Sequence, residues 1–195
     1  MKNLILLASL IVLAGCSSVP TASTMGGLNE KEYLNIVNSQ TKDTSQYDGF
    51  YQTFQASVTL LTTALEAAGL AQNAELQHWD AAKLQKERDR SFQEQAANTK
   101  VFVRLFTPEN QYNDMQLPTS IWKIYLEHEG KRYEGKVKKA TEKHIELKNR
   151  FPYFDRFSTG YFVTFALPTA SAENSNVKII LTGPVGSAEF IFNKQ

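Results

Sequence analysis

The residues best suited to acid–base, nucleophilic or metal chemistry in this 195-residue chain are few: three histidines, His78, His128 and His144, and one cysteine, Cys16. Each histidine stands alone, with no HExxH motif and no pair at i, i+4 to set two imidazoles on one helical face. His144-Ile145-Glu146 would place two polar side chains on one side of a strand, a spacing compatible with metal ligation but read as an exposed strand face. The GxSxG pentapeptide that presents a nucleophilic serine on a strand-to-helix turn is missing. "GPVGS" lacks the GK[ST] of a phosphate loop and leads into another strand-like segment, so it is read as a hairpin. Glu87, Asp89 and Glu94 lie among Lys83, Lys86, Arg88 and Arg90 at helical spacing, the pattern of a solvated face. These patterns supply no catalytic residue, no metal ligand set and no cofactor site, and an active site assembled from distant residues stands as the alternative.

One stretch suggests binding rather than catalysis. In "NRFPYFDRFSTGYF", residues 149 to 162, Arg150, Phe151, Tyr153, Phe154, Arg156 and Phe157 bring aromatic rings and guanidinium groups together, the residue types that dominate interface hot spots. Pro152 keeps the stretch out of a central strand. The competing reading is a corner between two sheets, with the rings closing the end of the core and Arg and Asp paired outside. Basic residues also outnumber acidic ones between Lys123 and Arg156, an excess better explained by lysine-protected strand edges than by an anion site.

Cys16 ends an apolar run. Lys2 gives a positive start, Leu4 to Leu13 an apolar segment, and Ala14-Gly15 a small-residue junction, which together read as a secretory signal. The run is shorter than the ~20 residues that span a bilayer. Leu13-Ala14-Gly15-Cys16 resembles the lipobox of bacterial lipoproteins. The resemblance implies a diacylglyceryl thioether on Cys16, cleavage before it and acylation of the new N-terminus, so that several buried acyl chains hold the protein on a membrane. Ser17 follows the cysteine where Asp commonly signals inner-membrane retention, so the resemblance implies outer-membrane delivery in an organism that has one. With no second cysteine there is no internal disulfide, no Cys-based zinc site and no CxxC motif.

The elements behind this address fall into two parts. Residues 1–15 are the expected signal, 16–28 a Ser/Thr/Gly-rich tether, 29–98 a helical region and 99–195 a β domain. Asn29 and Glu32 with Leu28 and Tyr33 form a capping-box and staple pattern that predicts a helix over 30–37. Tyr47, Phe50, Tyr51, Phe54, Val58, Leu61 and Leu65 recur at steps of three and four, which predicts a helix from about residue 45, with a break near Gly69. Its apolar stripe would cover the sandwich or dock a partner. From Thr99 the period becomes alternating: "KVFVRLF", "SIWKIYLEH", "RYEGKVKK", "KHIELK", "GYFVTFAL", "VKIILTG" and "AEFIFN" predict seven strands, with Trp122, Ile124 and Leu126 sharing one face.

The expected fold class is therefore α+β, a helical region followed by an antiparallel, mostly seven-stranded sandwich of immunoglobulin-like or fibronectin-like type, with a small barrel as the alternative. Lys plus Arg total 21 and Asp plus Glu 20, and Lys2 is the only charge before Cys16, so a chain beginning at Cys16 is formally neutral. That balance gives no field for nucleic acid. The sequence thus leads to an outer-membrane lipoprotein whose partners are the membrane, through its lipid anchor, and an envelope protein or glycan. A non-catalytic binding or structural module is expected, with an envelope hydrolase or ligand carrier as the alternative.

Overall fold

In a computed structural model the protein is described over residues 24–25 and 28–194. The expected signal and Cys16 lie outside the described residues. Part of the expected tether is an antiparallel pair, β1 (Thr24–Met25) with β2 (Leu28–Asn29). α1 (Glu30–Ser39) follows directly, starting where the capping pattern put it, with Glu30 and Glu32 in the first turn where the helix dipole favours acids. Tyr33 and Val37, one turn apart, are its buried residues.

The segment expected to continue as helix is instead a β-hairpin, β3 (Thr41–Asp48) and β4 (Tyr51–Leu60). Phe54, Ala56, Val58 and Leu60 are all buried on one face of β4, a period of two. Phe54 and Val58 stand four apart, a spacing common to helix and strand, and so satisfied both patterns. Asp48-Gly49 was the discriminating signal: Gly49 has φ +59° at the first position of a two-residue loop, as type II′ hairpin turns require.

Helix resumes as α2 (Thr63–Leu76), capped by the Thr62 hydroxyl accepting from the Leu65 N–H, and α3 (Ala81–Ala97), capped by Asp80 accepting from Lys83. The break falls at residues 77–80, where His78 is left-handed, rather than at Gly69. After β5 (Thr99–Phe106) come a 3₁₀ turn at Asn110–Tyr112, β6 (Lys123–His128), β7 (Lys131–Glu134), β8 (Lys136–Lys139), α4 (His144–Arg150), β9 (Thr159–Phe165), α5 (Thr169–Glu173), β10 (Val177–Gly183) and β11 (Gly186–Phe192). Seven strands follow residue 98, but by a different division from the expected one. "RYEGKVKK" is two strands in two sheets, and "KHIELK" is the helix α4, whose Glu146 carboxylate accepts from the Lys143 N–H at 2.9 Å.

Two larger antiparallel sheets result, in the orders β3-β4-β5-β9-β8 and β11-β10-β6-β7, and they do not close into a barrel. The fold is α+β. β4 and β5 pair directly, so the sheet runs across the expected boundary at residue 98 and the chain does not divide there into a helical and a β region. Between the sheets lies the main core, including Phe54, Val58, Val103, Trp122, Leu126, Tyr161, Ile179 and Phe190. Trp122, Ile124 and Leu126 do share the buried face. The outer face of the five-stranded sheet carries a second core, in which Phe102 meets Tyr33, Val37, Leu61, Leu65, Ala68, Leu147, Phe151 and Phe154.

The chain passes from one sheet to the other at Gly135, between β7 and β8. A β-carbon there would lie 2.5 Å from Val163 Cγ1 and 2.8 Å from Ile124 Cγ2, one atom in each sheet. Gly135→Ala should therefore lower stability by about 1–3 kcal/mol, the usual cost of overpacking, measured by urea unfolding.

Burial raises the pKa of Tyr33 to about 12 and of Tyr161 to about 12, and pushes that of Tyr153 up as well. Because the folded values exceed the unfolded value of 10.0, this stabilisation is complete below about pH 10 and is lost as pH rises toward 12. The melting temperature should therefore fall steeply over that interval, in step with late phenolate absorbance. A flat melting temperature through this range would contradict the burial of these hydroxyls.

Candidate functional site

The expected binding loop is largely internal. The Phe151 ring stacks on Phe102 with centroids 3.8 Å apart, and Phe154 meets the same ring edge-on at 5.9 Å. Both are buried and offer no free platform for a ligand. The Tyr153 hydroxyl bonds Thr59, and Arg150 donates to Glu66 at 2.8 Å while its carbonyl accepts from Tyr33 at 2.9 Å. Of the six candidate residues Arg150, Phe151, Tyr153, Phe154, Arg156 and Phe157, only Arg156 and Phe157 stand exposed. The rings cover the outer face of the five-stranded sheet, not a corner between the two sheets, and Gly160 leaves room for Phe102, whose ring would sit 3.0 Å from a β-carbon there.

Asp155 serves the same face. It accepts from Arg104 on β5 at 2.8 Å, and its other oxygen takes the N–H groups of Phe157 and Ser158. The Arg104 side chain is only 8 % exposed, and its Nε has no partner among the described residues. Removing the carboxylate strands a buried cation, whereas removing the cation leaves an acid that water can reach. Asp155→Ala should cost about 3 kcal/mol in chemical denaturation, and Arg104→Met clearly less. Equal losses would show that the pair itself, not the burial of its cation, carries the effect.

The histidines are dispersed: His144 lies at the start of α4 beside the Phe154 ring at 5.5 Å, His78 in the α2–α3 turn, His128 at the end of β6. His144 and Glu146 thus do not share a strand face. Among the described residues no group of three His, Cys, Asp or Glu is placed to hold a metal ion. Some of the basic residues are paired: Arg132 with Glu127 and Lys123 with Glu134 across strands, and Arg150 with Glu66 on α2.

A different place has the geometry of a site. Three turns meet at one end of the sandwich around a cleft of about 530 Å³: the tip of the β3–β4 hairpin, the segment after β5, and the β10–β11 turn. Its walls include Tyr47, Asp48, Tyr51, Pro108, Glu109, Tyr112, Pro184 and Val185. Phe50, in the hairpin loop between Asp48 and Tyr51, is fully exposed, with Tyr47 at 60 % and Tyr51 at 53 %. This is the exposed end of the stripe whose other end, Phe54 to Leu65, is core.

Local structure explains why these groups converge. The pairing register of the hairpin shifts between Gln46 and Tyr47, a bulge that leaves Thr53 as the extra residue. Bulges add twist and re-aim side chains, and here Gln46, Tyr47, Asp48, Tyr51 and Thr53 all reach the cleft. Asp48 and Tyr51 are direct cross-strand partners. The opposite wall is pinned: the Trp122 indole donates to the Tyr112 carbonyl at 2.7 Å, and the Thr107 hydroxyl to the Glu109 carbonyl at 2.8 Å. Trp122 in turn meets Phe54 edge-on at 5.1 Å, tying this wall to the hairpin. Gly186 completes the third turn at φ +146°, where a β-carbon would come within 2.8 Å of Phe54.

Chemically the cleft offers aromatic faces, two carboxylates and amide groups, with no nucleophile held against a base. Gln111 donates to the Glu109 carboxylate at 2.9 Å, and Gln52 makes a long contact of 3.5 Å to the Tyr47 hydroxyl. The site was missed in the sequence because its parts lie on three segments more than 50 residues apart; the Asp48-Gly49 hairpin signal would have exposed one of them. The sequence matches no protein-family model, and no curated protein matches it.

Proposed function

We propose that this protein is a lipid-anchored envelope lipoprotein whose body is a non-catalytic binding module. The observation that carries the binding role is the pinned, tyrosine-lined cleft between the β3–β4 tip, the Pro108–Tyr112 segment and the β10–β11 turn. Its volume lies within the ~300–1,000 Å³ range of small-molecule sites. Anchorage rests on the lipobox resemblance of Leu13 to Cys16, with the outer membrane favoured by Ser17 and the body in the periplasm or at the cell surface. Among the described residues no helix is long and apolar enough to cross a membrane.

The body is in this reading an immunoglobulin-like sandwich. In that fold the sheets have the strand orders A-B-E-D and C-F-G, with C′ beside C in some members. Taking β4 as A, the orders β4-β5-β9-β8 and β7-β6-β10-β11 follow the same sequence, and this agreement supports the assignment. β3 is then an added edge strand, and α2 and α3 an insertion between A and B. The cleft would use this added strand together with the F–G turn.

Cells given a fatty-acid probe should label the wild-type chain and retain it in the membrane fraction, and Cys16→Ala should abolish both. Unlabelled wild type would remove the anchor and leave an exported binding domain.

A further inference from the structure

The geometry points to a small organic cation, bearing primary ammonium or guanidinium groups, as the ligand of the tyrosine cleft. This deepens the binding reading above and rests on it.

The charge of the walls is one-sided. Asp48 and Glu109 line the cleft from different turns, and among the described residues no Lys or Arg lines it. Some carboxylates elsewhere meet cations of this same chain: Glu127 with Arg132 and Lys178, Glu94 with Arg90 and Lys100, and the largely buried Glu66 with Arg150. Neither Asp48 nor Glu109 has such an ion pair among the described residues. A bound cation would offset the two negative charges that line this one concavity.

The remaining walls favour the same chemistry. Tyr47, Tyr51 and Tyr112 line the cleft, and the quadrupole of an aromatic ring attracts ammonium and guanidinium groups to its face. Pro108, Pro184 and Val185 add apolar surface suited to the methylene stem of an alkylamine. Gln46 and Thr53 supply neutral oxygen acceptors for N–H donors. An anion would meet two carboxylates without a compensating charge. A neutral sugar would use the rings but gain nothing from the charge, so the pair of acids selects the cation. The walls are held by Trp122 and Phe54 before any ligand arrives, which limits the ordering cost of binding.

The test is calorimetric titration of the full chain in non-ionic detergent with spermidine, agmatine and, as a neutral ring-stacking control, maltotriose. Spectra of the protein carrying fluorotyrosine report whether Tyr47, Tyr51 and Tyr112 sense each probe. Both cations should bind saturably and shift these resonances, and maltotriose should do neither. Asp48→Asn with Glu109→Gln should weaken the cations about tenfold or more, and Tyr51→Ala about two- to fivefold, without changing the melting temperature. These positions are exposed, so the variants are expected to fold. Cation binding that survives the double substitution would place it elsewhere and overturn the proposal. If maltotriose shifts the tyrosines and the cations do not, the cleft stands as a site but the ligand class is wrong. If no probe shifts them, the cleft reading falls too.

Discussion

The burial of β5 on both faces is the constraint around which the molecule is arranged. Val101, Val103 and Leu105 point into the space between the sheets, and Phe102 and Arg104 point the other way. Each large apolar side chain removed from water contributes about 1.5–3 kcal/mol, so neither face can be left open. The four-stranded sheet covers one side. The other is covered by α1, α2, α4 and the 151–154 loop, which together supply Tyr33, Leu65, Leu147, Phe151 and Phe154. Among the described residues nothing gives the four-stranded sheet such cover on its far side, and its strands alternate accordingly, with Glu127, Lys178 and Glu189 outward.

This arrangement separates support from display. The helices that follow β4 leave from the end of the sheet where Leu60 and Leu61 bond Gln40 and Lys100, while the hairpin tip lies at the far end of β3, about 25 Å away at the rise of an extended strand. Among the described residues no α-helix covers the aromatic side chains at that far end. One lateral side of the sandwich is joined by the passage from β7 to β8 at Gly135, and on the other β11 meets β3. The cleft sits at the end of that second side, where two edge strands diverge. Lys42 and Asp43, both exposed on β3, place charge along an edge that would otherwise invite pairing with another chain.

Polar groups inside the outer core follow the same logic. Arg104 is tolerated on a helix-covered face because Asp155 reaches it from the loop that also carries Phe151 and Phe154. Thr59 bonds both Thr41 and Tyr153, tying β4, β3 and that loop at one point. What the sequence offers as an aromatic and arginine-rich binding loop is, in three dimensions, the lid of a second core. Binding groups and covering groups are drawn from the same residue types, and only burial distinguishes them.

Sequence alone was enough for the alternating strands after residue 98, where Trp122, Ile124 and Leu126 or the run from Val177 to Leu181 admit one face inward. The same holds for α1, whose start is written in local capping chemistry, and for the "GPVGS" hairpin. These features depend on neighbours in the chain. For Tyr47 to Leu60 the apolar spacing was ambiguous, since Phe54 and Val58 suit both periods; Asp48-Gly49 marks the turn locally, and the pairing of Val58 and Thr59 with Val103 and Phe102, about 45 residues on, holds β4 in its sheet. Tertiary structure decided that Ile145 and Leu147 would lie on a helix, and that "RYEGKVKK" would change sheets at a glycine that admits no β-carbon. The cleft was hidden for the same reason: Asp48, Glu109 and Val185 are made neighbours by the closure of two sheets, and no local pattern records that closure.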